Sequence, residues 1–362
     1  MISKITLDLQ EKSYEIIIGN NILSEINKFI DNKNYTKKIV ITDKNLYKIY
    51  KDHFTKNTQI DDFIIIDPGE KSKSFDNLKK ICNEILQKNI DRKSLIIALG
   101  GGVVGDLAGF CAAILLRGID FIQVPTSLLA MVDSSVGGKT AINSDFGKNL
   151  IGSFYQPKLV LCDIDFLKSL PEREFKSGYA EIVKYGLIYD REFFNFLEQN
   201  HVKIFNRDNV TLAHIIQRSC EIKAQIVAQD EKENNLRALL NFGHTFGHIL
   251  EAETNYSDEL LHGEAVVIGM LMACQMSLEL GYIDIKIYDK IYNYLLQANF
   301  ELNLKNIRKS WDVNNLIKHL FKDKKIENNE LTFILINDIG SGIIEKKVSL
   351  EIFLKTIKKF LD

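Results

Sequence analysis

The sequence predicts an α/β first half, built on a mostly parallel sheet, followed by an all-α second half. Three observations carry this reading. Short β-branched runs alternate with helical patterns up to about residue 170 and then give way. Long stretches with apolar residues at a 3.6-residue period take over from there. The four prolines, Pro68, Pro125, Pro157 and Pro171, all precede Glu172, and proline is excluded from helix interiors. The boundary is therefore expected at 170–171, with an α/β domain over 1–170 and a helical domain over 171–362. A chain of 362 residues is long enough for two domains.

The first-half strands are expected at Tyr14–Ile18, Lys38–Thr42, Phe63–Asp67, Ser94–Leu99, Phe121–Val124 and Leu159–Cys162. Helices are expected between them at Leu23–Ile30 and Phe75–Gln87, where apolar residues recur at helical spacing. Unbroken apolar strands alternating with helices indicate a parallel, Rossmann-like sheet covered on both faces. The segment 3–18 can instead form an antiparallel hairpin at the sheet edge. In the second half, helices are expected over Phe175–Ile188, Val210–Asp230, Leu236–Glu253, Glu259–Leu280 and Tyr288–Gln297. Leu331–Ile336 reads as an isolated strand.

Composition excludes several classes. Hydrophobic residues are 46% and charged residues 26%, so the chain has enough apolar surface to fold. Lys+Arg is 46 against 48 for Asp+Glu, a net charge of −2, which argues against a nucleic-acid or membrane-surface binder. The apolar runs Leu107–Leu116 and Ala265–Leu278 are too short to span a bilayer. The start, Met1-Ile2-Ser3-Lys4-Ile5, has no signal-peptide apolar region, so the cytosol is the expected compartment. Five scattered cysteines, with no C-x-x-C pair, read as free thiols in a reducing environment.

The strand ending at Leu99 runs into Gly100-Gly101-Gly102-Val103-Val104-Gly105-Asp106 and then an apolar helix. Glycines there permit a tight turn and close approach of a ligand. A helix N-terminus behind them offers free N–H groups to an anion. Asp67-Pro68-Gly69-Glu70-Lys71-Ser72-Lys73 offers a carboxylate to ribose hydroxyls, or is a solvated turn. Pro125-Thr126-Ser127 follows another strand, where ligands bind in open α/β sheets.

His244, His248 and His262 fall close together, and His244 and His248 have i,i+4 spacing on a predicted helix. Glu181 lies amid apolar residues of another helix, where a buried carboxylate needs a cation. Two histidines and a carboxylate are a common catalytic Zn²⁺ set, but spacing alone does not choose the histidines. The segment 133–149 reads as a loop whose Lys139, Lys148 and Asn149 offer donors to an anion. Lys184 shares a helix face with Glu181. Arg237, Asn241, His244 and His248 align along one helical stripe, either lining a polar site or facing solvent.

Six strings carry a resemblance: Gly100–Asp106, Val132–Thr140, Gly147–Asn149, Ala180–Gly186, Asn241–His248 and Leu261–Ala265. In this order they resemble the 3-dehydroquinate synthases, within the sugar-phosphate cyclases, across essentially the whole chain. The resemblance implies an NAD-binding α/β domain, a helical domain binding metal and substrate, an active site in the cleft between them, and a homodimer. It implies Glu181, His244 and His262 as ligands of one divalent ion, Zn or Co, leaving His248 for proton transfer. It implies NAD contacts from Asp43, Asn45, Gly69, Glu70, Lys71, Lys73, Gly102, Val103, Val104, Gly105, Asp106, Thr126, Ser127, Asp133, Lys139 and Lys148, and from Phe166, Leu167, Lys168 and Ser169. Arg117, Lys139, Asn149 and Lys184 match groups around a substrate phosphate, with Arg117 reaching a neighbouring subunit. Lys223 and Arg237 match groups holding a substrate carboxylate, joined by Lys324 or Lys325; Asn241 belongs to the same catalytic set. The family often has Thr-Thr where this chain has Thr126-Ser127, and the hydroxyl is kept.

The implied reaction, a step of the shikimate route to aromatic amino acids, converts 3-deoxy-D-arabino-heptulosonate 7-phosphate to 3-dehydroquinate and phosphate. It proceeds by transient oxidation, phosphate elimination, re-reduction, ring opening and aldol closure, with NAD acting catalytically. Two other classes fit parts of the pattern. One is another sugar-phosphate cyclase or a metal-dependent polyol dehydrogenase on the same scaffold. The other is a non-catalytic descendant, against which the intact set Glu181, His244, His248 and His262 argues.

Overall fold

The computed structural model describes residues 2–233, 235–323 and 331–361. The chain forms two compact units. The first comprises the chain up to Pro171 together with Arg207–Lys232; the second comprises Glu172–Asn206 and the chain from Glu233 onward.

The first unit is built on nine strands: β1 (Ile2–Leu7), β2 (Tyr14–Gly19), β3 (Lys38–Asp43), β4 (Asp62–Ile66), β5 (Leu95–Gly100), β6 (Asp120–Pro125), β7 (Lys139–Ser144), β8 (Gly147–Phe154) and β9 (Leu159–Asp163). Its helices before Pro171 are α1 (Glu25–Asp31), α2 (Lys44–Asn57), α3 (Phe75–Leu86) and α4 (Gly102–Ile114). Seven strands form one sheet in the order β1-β2-β9-β6-β5-β3-β4, all parallel except the edge strand β1. Every residue of β5 and β9 is buried, because helices and connections cover both faces. One layer packs Ile39, Ile41, Ile64, Ile96 and Phe121 against Leu78, Ile81 and Ile85 of α3 and Leu107, Ala108 and Cys111 of α4. Each such large side chain stabilises the fold by about 1.5–3 kcal/mol through burial.

The segment 133–149 is not the loop its glycines suggest. A π-helical turn at Ala130–Ser134 leads into the antiparallel hairpin β7–β8. Gly137, Gly138 and Gly147 adopt positive φ at its entry and tip, which is where the sequence pattern reads as irregular.

The second unit contains α5 (Glu172–Ile188), α6 (Arg191–Phe205), α8 (His244–Glu253), α9 (His262–Glu279), α10 (Ile285–Gln297), α11 (Leu304–Ile307), α12 (Val313–Asp323) and α13 (Leu350–Leu361). The helix between α6 and α8 in the chain, α7 (Asn209–Gln229), belongs to the first unit, where it packs on β1 and β2. Its position in the chain puts it in the helical half, and its periodicity says nothing of the strands it packs on. The second unit is helical but not all-α. The expected strand at Leu331–Ile336 is β10 (Leu331–Asp338), paired antiparallel with β11 (Ser341–Val348). A lone strand cannot satisfy its own backbone, and β11 supplies the missing ladder.

Candidate functional site

In the first unit, the residues expected to meet a dinucleotide collect after the carboxyl ends of the parallel strands. Asp43 ends β3, and Glu70 and Lys73 follow β4. Gly102–Asp106 follow β5, Thr126 and Ser127 follow β6, and Phe166–Ser169 follow β9. The chain places β4 on one side of β3 and β5 on the other, so the strand order reverses between β3 and β5. Open α/β sheets bind ligands at such a reversal. The glycine segment does not turn through left-handed backbone, since none of Gly100, Gly101, Gly102 or Gly105 has positive φ. What glycine supplies is room. A Cβ on Gly105 would come within 2.7 Å of Gln123 Oε1 on β6, and one on Gly102 within 3.1 Å of Ser134 Oγ. Gly101 caps α4 with no side-chain bond, so its first-turn N–H groups keep their donor capacity.

Several expected contacts carry a structural duty as well. Asp43 Oδ1 accepts from the N–H groups of Asn45 (2.8 Å) and Leu46 (3.0 Å), capping α2. Gly69, at φ +94, opens the 3-10 turn Glu70–Ser72, which contains Lys71. Buried Lys73 donates to Asp106 Oδ2 at 2.6 Å and to Asn149 Oδ1. Burial pushes the Asp106 carboxyl up, opposed by the Lys73 ammonium beside it. Asn143 joins this network without having stood out in the sequence. It donates to Glu70 Oε1 at 2.8 Å and accepts from the Asn149 N–H at 3.0 Å. Lys223 on α7 donates to the Asp133 carbonyl (2.5 Å) and to Asp133 Oδ1 (2.7 Å). The structure thus joins two residues that the resemblance assigns to different ligands. Arg207, which no sequence motif singles out, binds the carbonyls of Leu167, Lys168 and Leu170 and so fixes the 166–169 turn. Ser169 Oγ lies 2.7 Å from the Tyr50 hydroxyl, and Tyr50 packs edge-on against Phe166. Lys139 is exposed and Lys148 half-buried in β7–β8. Arg117 is exposed in the run Leu116-Arg117-Gly118, whose φ angles are all positive. Such backbone is costly for two non-glycine residues.

In the second unit, Glu181, His244 and His262 each offer a ligand atom, and these atoms lie within 4.8 Å of one another. Glu181 Oε1 is 3.5 Å from His244 Nε2 and 3.4 Å from His262 Nε2. Three helices meet here because glycines let them. A Cβ on Gly243 would press on the Val266 carbonyl and Met270 of α9, one on Gly269 on the Gly243 carbonyl and Gly247 N–H of α8, and one on Gly263 would overlap the Ser177 backbone of α5. His244 and His262 open their helices. The ring of His244 donates from Nδ1 to the Phe242 carbonyl at 3.2 Å, which turns Nε2 inward. Burial and the Lys184 ammonium hold His244 down to about 3. For His262, burial opposes the charged form, but the carboxylates of Glu181 and Glu251 outweigh it and raise the ring to about 10. Lys184 forms a fully buried ion pair with Glu181. His248 stands beside both rings, its centroid 5.4 Å from that of His244 and 6.4 Å from that of His262.

The expected stripe of Arg237, Asn241, His244 and His248 is not one helical face. A 3-10 segment (Leu236–Asn241) ends at Phe242, and Gly243 at φ +80 restarts the chain as α8. Arg237 is fully buried, and Asn241 donates to Glu233 Oε1 at 2.7 Å. Lys324 and Lys325 lie outside the described residues. No helix among the described residues is long and apolar enough to cross a membrane.

The family model described as 3-dehydroquinate synthase N-terminal matches residues 63–177, and that described as 3-dehydroquinate synthase C-terminal matches residues 178–326. The 3-dehydroquinate synthase of Dictyoglomus thermophilum is 43% identical over 357 residues, covering 98% of each chain. That of Bartonella quintana is 45% identical over 369 residues, covering 99% of this chain and 98% of its own. Among solved structures, a 2-deoxy-scyllo-inosose synthase complexed with carbaglucose-6-phosphate, NAD+ and Co2+ superposes with TM-score 0.89 at 24% identity, over 100% of both chains. An iron-containing alcohol dehydrogenase superposes with TM-score 0.64 at 16% identity, over 96% of this chain and 97% of its own. At these identities the two structures speak to the fold.

Proposed function

Since the chain belongs to the 3-dehydroquinate synthase family, we propose that it eliminates phosphate and closes the carbocycle using one divalent cation and a catalytic NAD. The observation that carries this is the meeting of Glu181 Oε1 with the Nε2 atoms of His244 and His262. A buried carboxylate and two imidazoles are a fitting donor set for Zn²⁺ or Co²⁺. The edge formed after β3, β5 and β6, where the strand order reverses and α4 opens with free N–H groups, fits a dinucleotide.

When bound, the cation supplies a Lewis acid and NAD a hydride acceptor that is restored within the turnover. The chain's own groups do the rest. His248, beside the cation ligands, accepts the proton of the substrate hydroxyl. Lys139, Lys184 and Asn149 neutralise and orient the phosphate, and Arg117, exposed on a positive-φ run, serves the phosphate of the neighbouring subunit. Lys223 and Arg237 hold the carboxylate, and Asn241 supports that set. Fixing both ends of the substrate lowers the barrier by restricting its motion. Asp133 accepts from Lys223, so NAD contact and carboxylate contact are read as coupled through this ion pair.

The chain is further proposed to work as a homodimer in a reducing cytoplasm. Phe146, Leu150 and Phe154 on one hairpin are 94%, 63% and 44% exposed, an apolar stripe that a second copy would cover. The cysteines are free thiols. The test of the cation site is metal content measured beside turnover. Glu181→Ala and His262→Ala should lose metal and activity together; full metal content in both would overturn the ligand assignment.

A further inference from the structure

The ring of His262 needs a partner for its outer nitrogen, and α8 provides one. Glu251 Oε2 lies 3.2 Å from His262 Nδ1, and the Glu251 side chain is almost fully buried. Glu251 falls seven residues after His244 and three after His248, so all three occupy one face of α8. Its backbone is fixed: the Glu251 carbonyl accepts from the Tyr256 N–H at 2.7 Å and from Thr254 Oγ1 at 3.0 Å. The other half of the contact is fixed too. Gly263, next to His262, donates its N–H to Ser177 Oγ at 3.0 Å, tying the start of α9 to the helix that carries Glu181.

We propose that Glu251 is a positioning residue for the cation site: its carboxylate takes the Nδ1–H of His262 and so aims Nε2 toward Glu181 and His244, where the lone pair is released when a cation displaces the Nε2 proton. This rests on the cation reading of Glu181, His244 and His262. The geometry separates the two ring nitrogens cleanly, with Nδ1 on Glu251 and Nε2 at 3.4 Å from Glu181 Oε1. A carboxylate on the far nitrogen fixes the tautomer and ring angle, and makes the imidazole a stronger donor. His244 reaches the same end with a weaker partner, the neutral carbonyl of Phe242. The two imidazole ligands are therefore unequal, and His262 is the better donor.

The test uses the full chain, stripped with a chelator and titrated with Co²⁺ against a competing chelator, with the cobalt absorption spectrum recorded. Glu251→Leu should bind Co²⁺ about 100-fold more weakly than wild type. Glu251→Gln, which still accepts from Nδ1–H but lacks the charge, should lose about 10-fold and keep a spectrum nearer to wild type. If Glu251→Leu does not fold, Glu251→Gln decides alone. Wild-type affinity in either folded variant overturns the proposal. So does a variant whose metal-free melting temperature falls while its cobalt affinity and spectrum stay unchanged, since Glu251 would then only staple α8 to α9. Wild-type protein that takes up no Co²⁺ overturns the cation reading itself, whereas tight wild-type binding with equally tight Glu251 variants overturns only the role of Glu251.

Discussion

Replacing Glu181 with glutamine removes a negative charge from a place without solvent contact. Glu181 is 0% exposed, and Lys184, its ion-pair partner, is 1% exposed. Solvent screening therefore does little to weaken the pair. Two unit charges at an ordinary ion-pair separation of about 3 Å attract by roughly 5 kcal/mol at an effective dielectric of about 20. Breaking a buried pair from one side costs about 3–5 kcal/mol, because the partner is left charged and desolvated. The second unit has about 165 residues, and at that size each kcal/mol moves the melting temperature by about 2–4 °C. Chelator-treated Glu181→Gln should thus melt on the order of 10 °C below wild type. The assay is thermal unfolding by circular dichroism of wild type, Glu181→Gln, Lys184→Met and the double variant. The double variant should recover much of the loss, since it strands no charge. A Glu181→Gln protein that melts with wild type, or a double variant that is the sum of the singles, would mean that Lys184 is not held by Glu181 as a buried pair.

Three further outcomes are expected. Zinc at about 100 times its dissociation constant should stabilise the wild-type protein by about 2.7 kcal/mol, and this gain should vanish in His262→Ala when melting is followed against zinc concentration. Gly263→Ala should cost at least about 1–3 kcal/mol in denaturant unfolding, since its Cβ meets the Ser177 backbone rather than a side chain that can move. Lys88, 2.5 Å from Asp62, holds that carboxyl below its usual range. Its folded pKa is depressed, so the pair contributes at neutral pH and is lost as pH falls through the folded value. Asp62→Asn should therefore cost no more than about 1 kcal/mol at pH 7, because solvent reaches both partners, and nothing in strong acid, as read from melting curves across pH.

The sheet was legible because buried parallel strands are continuous apolar runs. All six strands expected from such runs are present, and the segment 3–18 is indeed an antiparallel edge pair. The hairpin β7–β8 was not legible, since its glycines and polar residues look like a loop until the ladder is seen. The helix expected over Leu236–Glu253 breaks at Gly243 for a reason that lies elsewhere in the chain: a side chain there would strike Met270 and the Val266 carbonyl of α9. Helix α7 shows the same limit, because periodicity reveals an apolar face but not the strands it covers. At the candidate site, residue type and spacing single out Glu181 with His244, His248 and His262, but only the resemblance separates His244 and His262 from His248. Asn143, Arg207 and Glu251 could not. Each acts through a partner distant in sequence, and no spacing rule joins Glu251 on one helix to a ring at the start of the next.

The measurement that bears most directly on this account is simultaneous detection of inorganic phosphate and reduced nicotinamide. The chain is mixed with NAD+, zinc or cobalt, and 3-deoxy-D-arabino-heptulosonate 7-phosphate. The account predicts one phosphate released for each substrate consumed, with no lasting reduced nicotinamide. Reduced nicotinamide accumulating in step with turnover while phosphate stays on the sugar would contradict it.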